Sequence, residues 1–194
     1  MSDRLKEVLS QIDHANADDP NQRMVGGISV ANELIYGQRM SAWLDRMAPN
    51  ASDALKIAAR GQHIRRWSIP RTDYPMDRSG YLKWRTTLYR FHADQLEPLM
   101  KAAGYPEEEI QRTRGLVEKR GLKTNPETQM LEDVICLVFL EFYFQDFLAR
   151  HSRDKVVEIA RKTWGKMSEA AHAEALKLPL SDEALSIVKD ALGL

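Results

Sequence analysis

The 194 residues carry 28 Lys and Arg against 28 Asp and Glu, a formal net charge of zero, and 43% of them are hydrophobic. That balance excludes wholesale disorder and excludes nucleic-acid binding driven by overall charge. The single cysteine, Cys136, excludes an intramolecular disulfide and a cysteine-based zinc cluster.

The length predicts one domain over residues 1–194, with an N-terminal helix or arm over 1–20. The longest apolar run, VICLVFLEFYF, is too short and too interrupted to span a bilayer. The opening MSDRLKEVLSQID is not a signal peptide, so a soluble cytoplasmic protein is expected.

Helical spacing dominates the chain. Ser2 is placed to cap a first helix with Leu5, Val8, Leu9 and Ile12 on one side. DDPNQRMVGGISV reads as a loop with Pro and paired Gly. ANELIYGQRMSAWLDRM reads as a second helix. SDALKIAARGQHIRRW reads as a third, capped by Ser52 and carrying His63 within it. Two prolines and a glycine make SIPRTDYPMDRSG, within residues 68–80, a loop.

YLKWRTTLYRFHADQLEPLMKAAG is helical again, kinked or broken at Pro98. YPEEEIQRTRGLVEKRG places Pro106 at a first helical position, followed by three glutamates that the helix dipole favours. Asn125 and Pro126 open NPETQMLEDVICLVFLEFYFQDFLARH, which is apolar nearly all round and is expected to be the central buried helix. Two amphipathic helices follow, the last closed by Gly193. The sum is a compact all-α bundle of about seven helices.

Chemistry concentrates between Arg60 and Asp94, where seven arginines, two histidines, two tryptophans and three tyrosines fall together. Arg71, Arg78 and Arg85 are planar forks suited to phosphate or carboxylate, and with Arg60 and Arg66 they form the candidate anion-binding set. Tyr74, Tyr81, Trp67 and Trp84 can stack on a base or on guanidinium planes. This loop is expected to lie over the site as an anion-binding lid.

His63 and His92 each sit among helical signals. The third feature is Glu132-Asp133, two acids inside the most apolar helix. A buried carboxylate costs several kcal/mol unless a cation or donors meet it. Its partner is therefore a metal, an arginine of the 60–94 stretch, or one of the two histidines. Two histidines and an aspartate on three helices are also what a bundle uses to build a core metal site.

The runs IAARGQHIRRWSIPRTDYPMDRSGYLKWR, FHAD, NPETQMLEDVICLVFLEFYF and RKTWGKMS resemble the DUF4202 domain family over most of the chain. Through it the chain resembles the HD-domain superfamily of metal-dependent phosphohydrolases. That resemblance implies an HD-like fold, with His63, His92 and Asp133 as ligands of a divalent metal in the order an HD site has them. Where an HD protein carries an adjacent His-Asp pair, this chain has His92-Ala93, which leaves three protein ligands at best.

The leading expectation is a metal-dependent hydrolase of a small or nucleotide-like phosphate ester, with Glu132 as general base or as a residue that orients a metal ligand. The alternatives are a non-catalytic anion- or nucleotide-binding module on the same fold and a protein-interaction module. The expected ligand is small and anionic or phosphorylated, with no membrane partner and with nucleic acid disfavoured.

Overall fold

A computed structural model describes residues 1–122 and 124–192. It is all-α apart from one small hairpin, with ten α-helices and two 3-10 turns among the described residues. Contacts group the chain into two compact units, Met1–Thr128 and Gln129–Leu194. No helix among the described residues is long and apolar enough to cross a membrane.

In the first unit α1 runs Asp3–Ala17, and the Ser2 hydroxyl accepts from the Leu5 amide as its cap. Leu5, Val8 and Ile12 fall on its buried side. The stretch expected to be a loop then forms a tight antiparallel hairpin, β1 (Gln22–Val25) and β2 (Ile28–Ala31). Gly26 and Gly27 make its two-residue turn with φ of 56° and 84°, values that a glycine pair adopts without Cβ strain.

Helix α2 (Asn32–Met47) follows directly, and its N-cap residue, Ala31, has no side chain to offer. The cap comes instead from fourteen residues upstream: Asp19 Oδ2 accepts from the Glu33 amide at 3.0 Å. Asp19 is buried, so its carboxylate needs such donors, and Asn21 supplies two more.

Helix α3 (Asp53–Arg60) starts at Ser52, whose hydroxyl accepts from the Leu55 amide. It stops at Gly61, earlier than the sequence pattern predicts, so His63 lies in a turn and not in a helix. Arg65 in that turn takes a left-handed conformation, φ 50°. Two 3-10 turns, Arg66–Ser68 and Arg71–Asp73, carry the chain to α4 (Arg78–Ala102).

Helix α4 is continuous through Pro98, which lies on an exposed side, so the expected break does not occur. Pro106 is the N-cap of α5 (Glu107–Val117) rather than its first residue. Asn125 caps α6 (Pro126–Phe142), its Oδ1 accepting from the Glu127 and Thr128 amides at 2.9 and 3.4 Å. Helix α3 packs on α2 and α5, and α4 packs on α5, around Met40, Leu44, Ile57, Leu96, Met100 and Leu116.

The second unit holds the rest of α6 with α7 (Phe144–Leu148), α8 (Arg153–Trp164), α9 (Glu169–Ala175) and α10 (Asp182–Leu192). Leu131, Val134, Leu137, Val138 and Phe144 are buried in it, and α8 packs on α10. The expected closing glycine, Gly193, lies outside the described residues.

Candidate functional site

Four segments of the first unit meet at His63: the start of α2, the turn after α3, the first 3-10 turn and the middle of α4. His63 Nδ1 stands 3.0 Å from Glu33 Oε2, and Arg66 approaches His63 Nε2 at 2.9 Å. A guanidinium only donates, so Nε2 carries the lone pair and Nδ1 carries the proton. The chain of hydrogen bonds therefore runs Arg66 to His63 to Glu33. Tyr36, three residues after Glu33 on the same face of α2, stacks on the imidazole at 3.8 Å and 9°.

The second imidazole, His92 on α4, is 1% exposed, and its ring centre lies 6.0 Å from that of His63. Its Nδ1 is 2.9 Å from the Ile64 carbonyl oxygen. A carbonyl only accepts, so His92 is also protonated at Nδ1. Its Nε2 is buried and has no hydrogen-bond partner among the described residues, and Gln62 Oε1 on the same turn as His63 is in the same condition.

Arg66 completes the cluster. Its guanidinium lies over the Trp84 ring at 4.8 Å, and the Trp84 indole is fixed by donating to the Ile69 carbonyl at 2.9 Å. One arginine is thus held half-buried between an imidazole and an indole, both neutral, and no carboxylate stands within ion-pair distance of it among the described residues.

The electrostatics follow from this placement. Burial pushes the Glu33 carboxyl up to about 7, against the opposing pull of Arg66 and His92. Burial also lowers His63 well below the ordinary range, helped by the positive charges of Arg66, Lys119 and Arg85. His92 falls to about 3, through burial first and then His63, with its bond to Ile64 opposing. The result near neutral pH is a cluster of neutral imidazoles, a half-ionised carboxyl and surrounding cations. An anion is the ligand such a field attracts.

The supports of this cluster come from α1. Asn16, 1% exposed, accepts from the Arg65 amide through Oδ1 at 3.0 Å and donates through Nδ2 to the Glu33 carbonyl at 3.3 Å. Asp19 holds the Glu33 amide. Sequence reasoning missed Glu33, Tyr36, Asn16 and Lys119. The signal available for Glu33 was only that of an acid in a helix first turn, which the dipole explains without any site.

The other expected anion ligands are placed differently. Arg60 makes a paired contact with Asp13 through Nε at 2.6 Å and Nη2 at 2.5 Å, which ties the end of α3 to α1. Arg71 donates to the carbonyls of Tyr74, Pro75 and Asp77 at 2.9, 2.7 and 3.3 Å, so it organises its own loop. Arg85 donates to the Tyr89 hydroxyl and lies 5.3 Å from that ring, with Lys119 over the same ring at 5.5 Å. Arg78 is the exposed first residue of α4.

Of the four stacking candidates, Trp84 is buried beneath Arg66, and Tyr81 is 42% exposed beside it, 6.0 Å away. Trp67 lies half-buried on the first 3-10 turn, and Tyr74 is the residue whose carbonyl Arg71 holds.

In the second unit Glu132 and Asp133 are buried, as their helix predicts. Asp133 Oδ1 accepts from the Ser168 amide at 2.8 Å and from Gln129 Nε2 at 2.9 Å, and Oδ2 accepts from the Ser168 hydroxyl at 2.6 Å. Ser168 in turn caps α9 by accepting from the Ala171 amide. Glu132 Oε1 lies 3.6 Å from Lys166 Nζ. Three donors, each worth about 1.5–3 kcal/mol to a charged acceptor, offset the several kcal/mol of burying the Asp133 carboxylate.

The residues do not fit the expected metal. Both nitrogens of His63 have partners, and Asp133 already accepts three hydrogen bonds from Ser168 and Gln129. Among the described residues no group of three or more His, Cys, Asp and Glu side chains is placed to hold an ion. Of the expected ligand set, His92 Nε2 is the atom that is buried with no hydrogen-bond partner among the described residues.

A family model, a domain of unknown function, DUF4202, matches residues 6–188. Comparison with curated proteins and with solved structures gives no match.

Proposed function

The chain belongs to the DUF4202 family, and within that span we propose that it binds a small phosphorylated anion at the Glu33–His63–Arg66 cluster. One observation carries this reading. The Arg66 guanidinium is held half-buried by His63 and Trp84, and neither ring neutralises its charge. A half-buried fork of five N–H donors with one engaged is matched by a phosphoryl group, which accepts two bonds side by side. His63 and Trp84 fix the fork before the ligand arrives, so little side-chain entropy remains to be lost on binding.

The test is titration of the protein with inorganic phosphate, followed by calorimetry or by the rise in melting temperature. Binding is expected, with Arg66→Ala weakening it about tenfold to a hundredfold and Arg66→Lys recovering only part. Equal phosphate binding by the wild type and Arg66→Ala sinks the assignment.

A metal-dependent phosphohydrolase is the second reading, and the open Nε2 of His92 is the observation in its favour. The donor set described above does not complete a metal site around it, so the binding role is the one the geometry supports best.

A further inference from the structure

A buried hydrogen-bond acceptor with no donor is costly, and its presence beside a ligand site points to a donor that comes with the ligand. His92 Nε2 is such an atom. The Ile64 carbonyl fixes the tautomer by taking the Nδ1 proton, and that bond also fixes the ring. Nε2 therefore points away from the Ile64 backbone. The groups that surround the ring electrostatically are His63, Arg66 and Glu33, the members of the anion site. His92 keeps an acceptor here near neutral pH, because burial resists the charge that would turn it into a donor.

We infer that the site selects an anion carrying its own hydrogen-bond donor, which Arg66 holds by charge and His92 Nε2 reads by accepting that donor. The donor is either the P–OH of a phosphate species or a hydroxyl borne on the carbon next to a phosphate ester. An anion of equal size with acceptors only sets an oxygen lone pair against the Nε2 lone pair. The inference rests on the anion-binding reading above and adds the chemistry by which one anion is told from another.

Phosphate against sulfate is the direct test, in competition or in separate titrations of the wild-type protein at about pH 7. Both phosphate species present there carry a P–OH, and neither is more negative than sulfate, so a preference for phosphate is not Coulombic. A phosphate affinity about tenfold or more above that of sulfate is expected. His92→Asn keeps a donor near Ile64 and removes the Nε2 acceptor. It is expected to erase the preference, lowering phosphate affinity while sulfate affinity rises as the lone-pair repulsion is removed.

A second pair, glycerol 1-phosphate against methyl phosphate, separates the two donor sources. Preference within this pair alone assigns the donor to the carbon-borne hydroxyl. Equal affinities within both pairs overturn the inference, since a resident water then satisfies Nε2, while anion binding itself survives. Failure of all four ligands to bind overturns the anion-binding reading as well. The ligand comparisons use the unaltered protein, so they stand even where His92→Asn fails to fold.

Discussion

Glu33 and His63 stand 3.0 Å apart although thirty residues separate them, and the proton between them lies on the imidazole. The pair is only partly exposed, with side-chain exposures of 16% and 21%. Its carboxyl, raised by burial from 4.5 to about 7, holds its proton longer in the folded chain than in the unfolded one. Stability tied to Glu33 is therefore complete below about pH 4.5 and is lost as pH rises through about 7, to a total of ~3 kcal/mol.

Glu33→Gln removes that slope. In urea unfolding the variant is expected to gain on the wild type between about pH 5 and about pH 8 by up to ~3 kcal/mol. The facing groups His63, His92, Arg66, Arg85 and Lys119 are common to both proteins and cancel in the difference. A gap between the two proteins that does not change with pH contradicts the placement of Glu33.

The histidines act in the opposite direction. His92 is held at about 3 against 6.5 in the unfolded chain, so its contribution is complete above about pH 6.5 and is lost as pH falls toward 3. His63 is lowered as well and has the same sign. Acid unfolding of the wild type is thus expected to begin below about pH 6.5 and to be blunted in His92→Asn. Melting temperatures over that range measure it, and identical acid slopes in the two proteins count against a neutral buried His92.

Arg71 and Arg66 are predicted to separate in experiment. Arg71→Ala releases three carbonyls and the loop they close, so proteolysis between residues 70 and 78 is expected to accelerate, with a stability loss of about 1–3 kcal/mol. Gly80→Ala should act on the same loop, since a Cβ there meets the Pro75 carbonyl oxygen at 2.0 Å. Phosphate affinity should change far less in Arg71→Ala than in Arg66→Ala. An equal loss in both makes Arg71 a ligand-binding residue.

For Asp133 a structural role and a metal role differ in readout. Asp133→Asn turns an amide N–H toward the Ser168 donors and is expected to cost roughly 2–4 kcal/mol, seen as a lower melting temperature. Elemental analysis of chelator-free protein is expected to give well under one equivalent of any transition metal. One bound equivalent that disappears in Asp133→Asn restores the metal-dependent hydrolase.

Much of the helical framework was legible because its signals are local. Ser2, Ser52 and Asn125 cap the helices their positions predict, and the apolar periods fall on buried faces. The hairpin escaped because four-residue strands carry little pattern, although Gly26-Gly27 is the turn signal that marks it. His63 and Arg66 were visible as an unusual local pair. Trp84 was visible as a ring able to stack on a guanidinium, but Glu33 and Tyr36 were not, because they reach the pair only through tertiary structure. The same holds for Arg60 and Arg71, whose residue type suits an anion and whose actual partners are Asp13 and three loop carbonyls.

The side chain of Asn16 has a kinetic consequence. It joins the end of α1 to the Arg65 amide, 49 residues away, and to the Glu33 carbonyl, 17 residues away. Neither bond lies within a helix, so neither can form until two long chain closures have been made. Helical turns appear in microseconds or less, whereas closures of this separation slow a folding reaction. The helices therefore precede the site. During refolding, ellipticity should recover ahead of ligand affinity, and the interval between them is the time the chain takes to bring residues 16, 33 and 65 together.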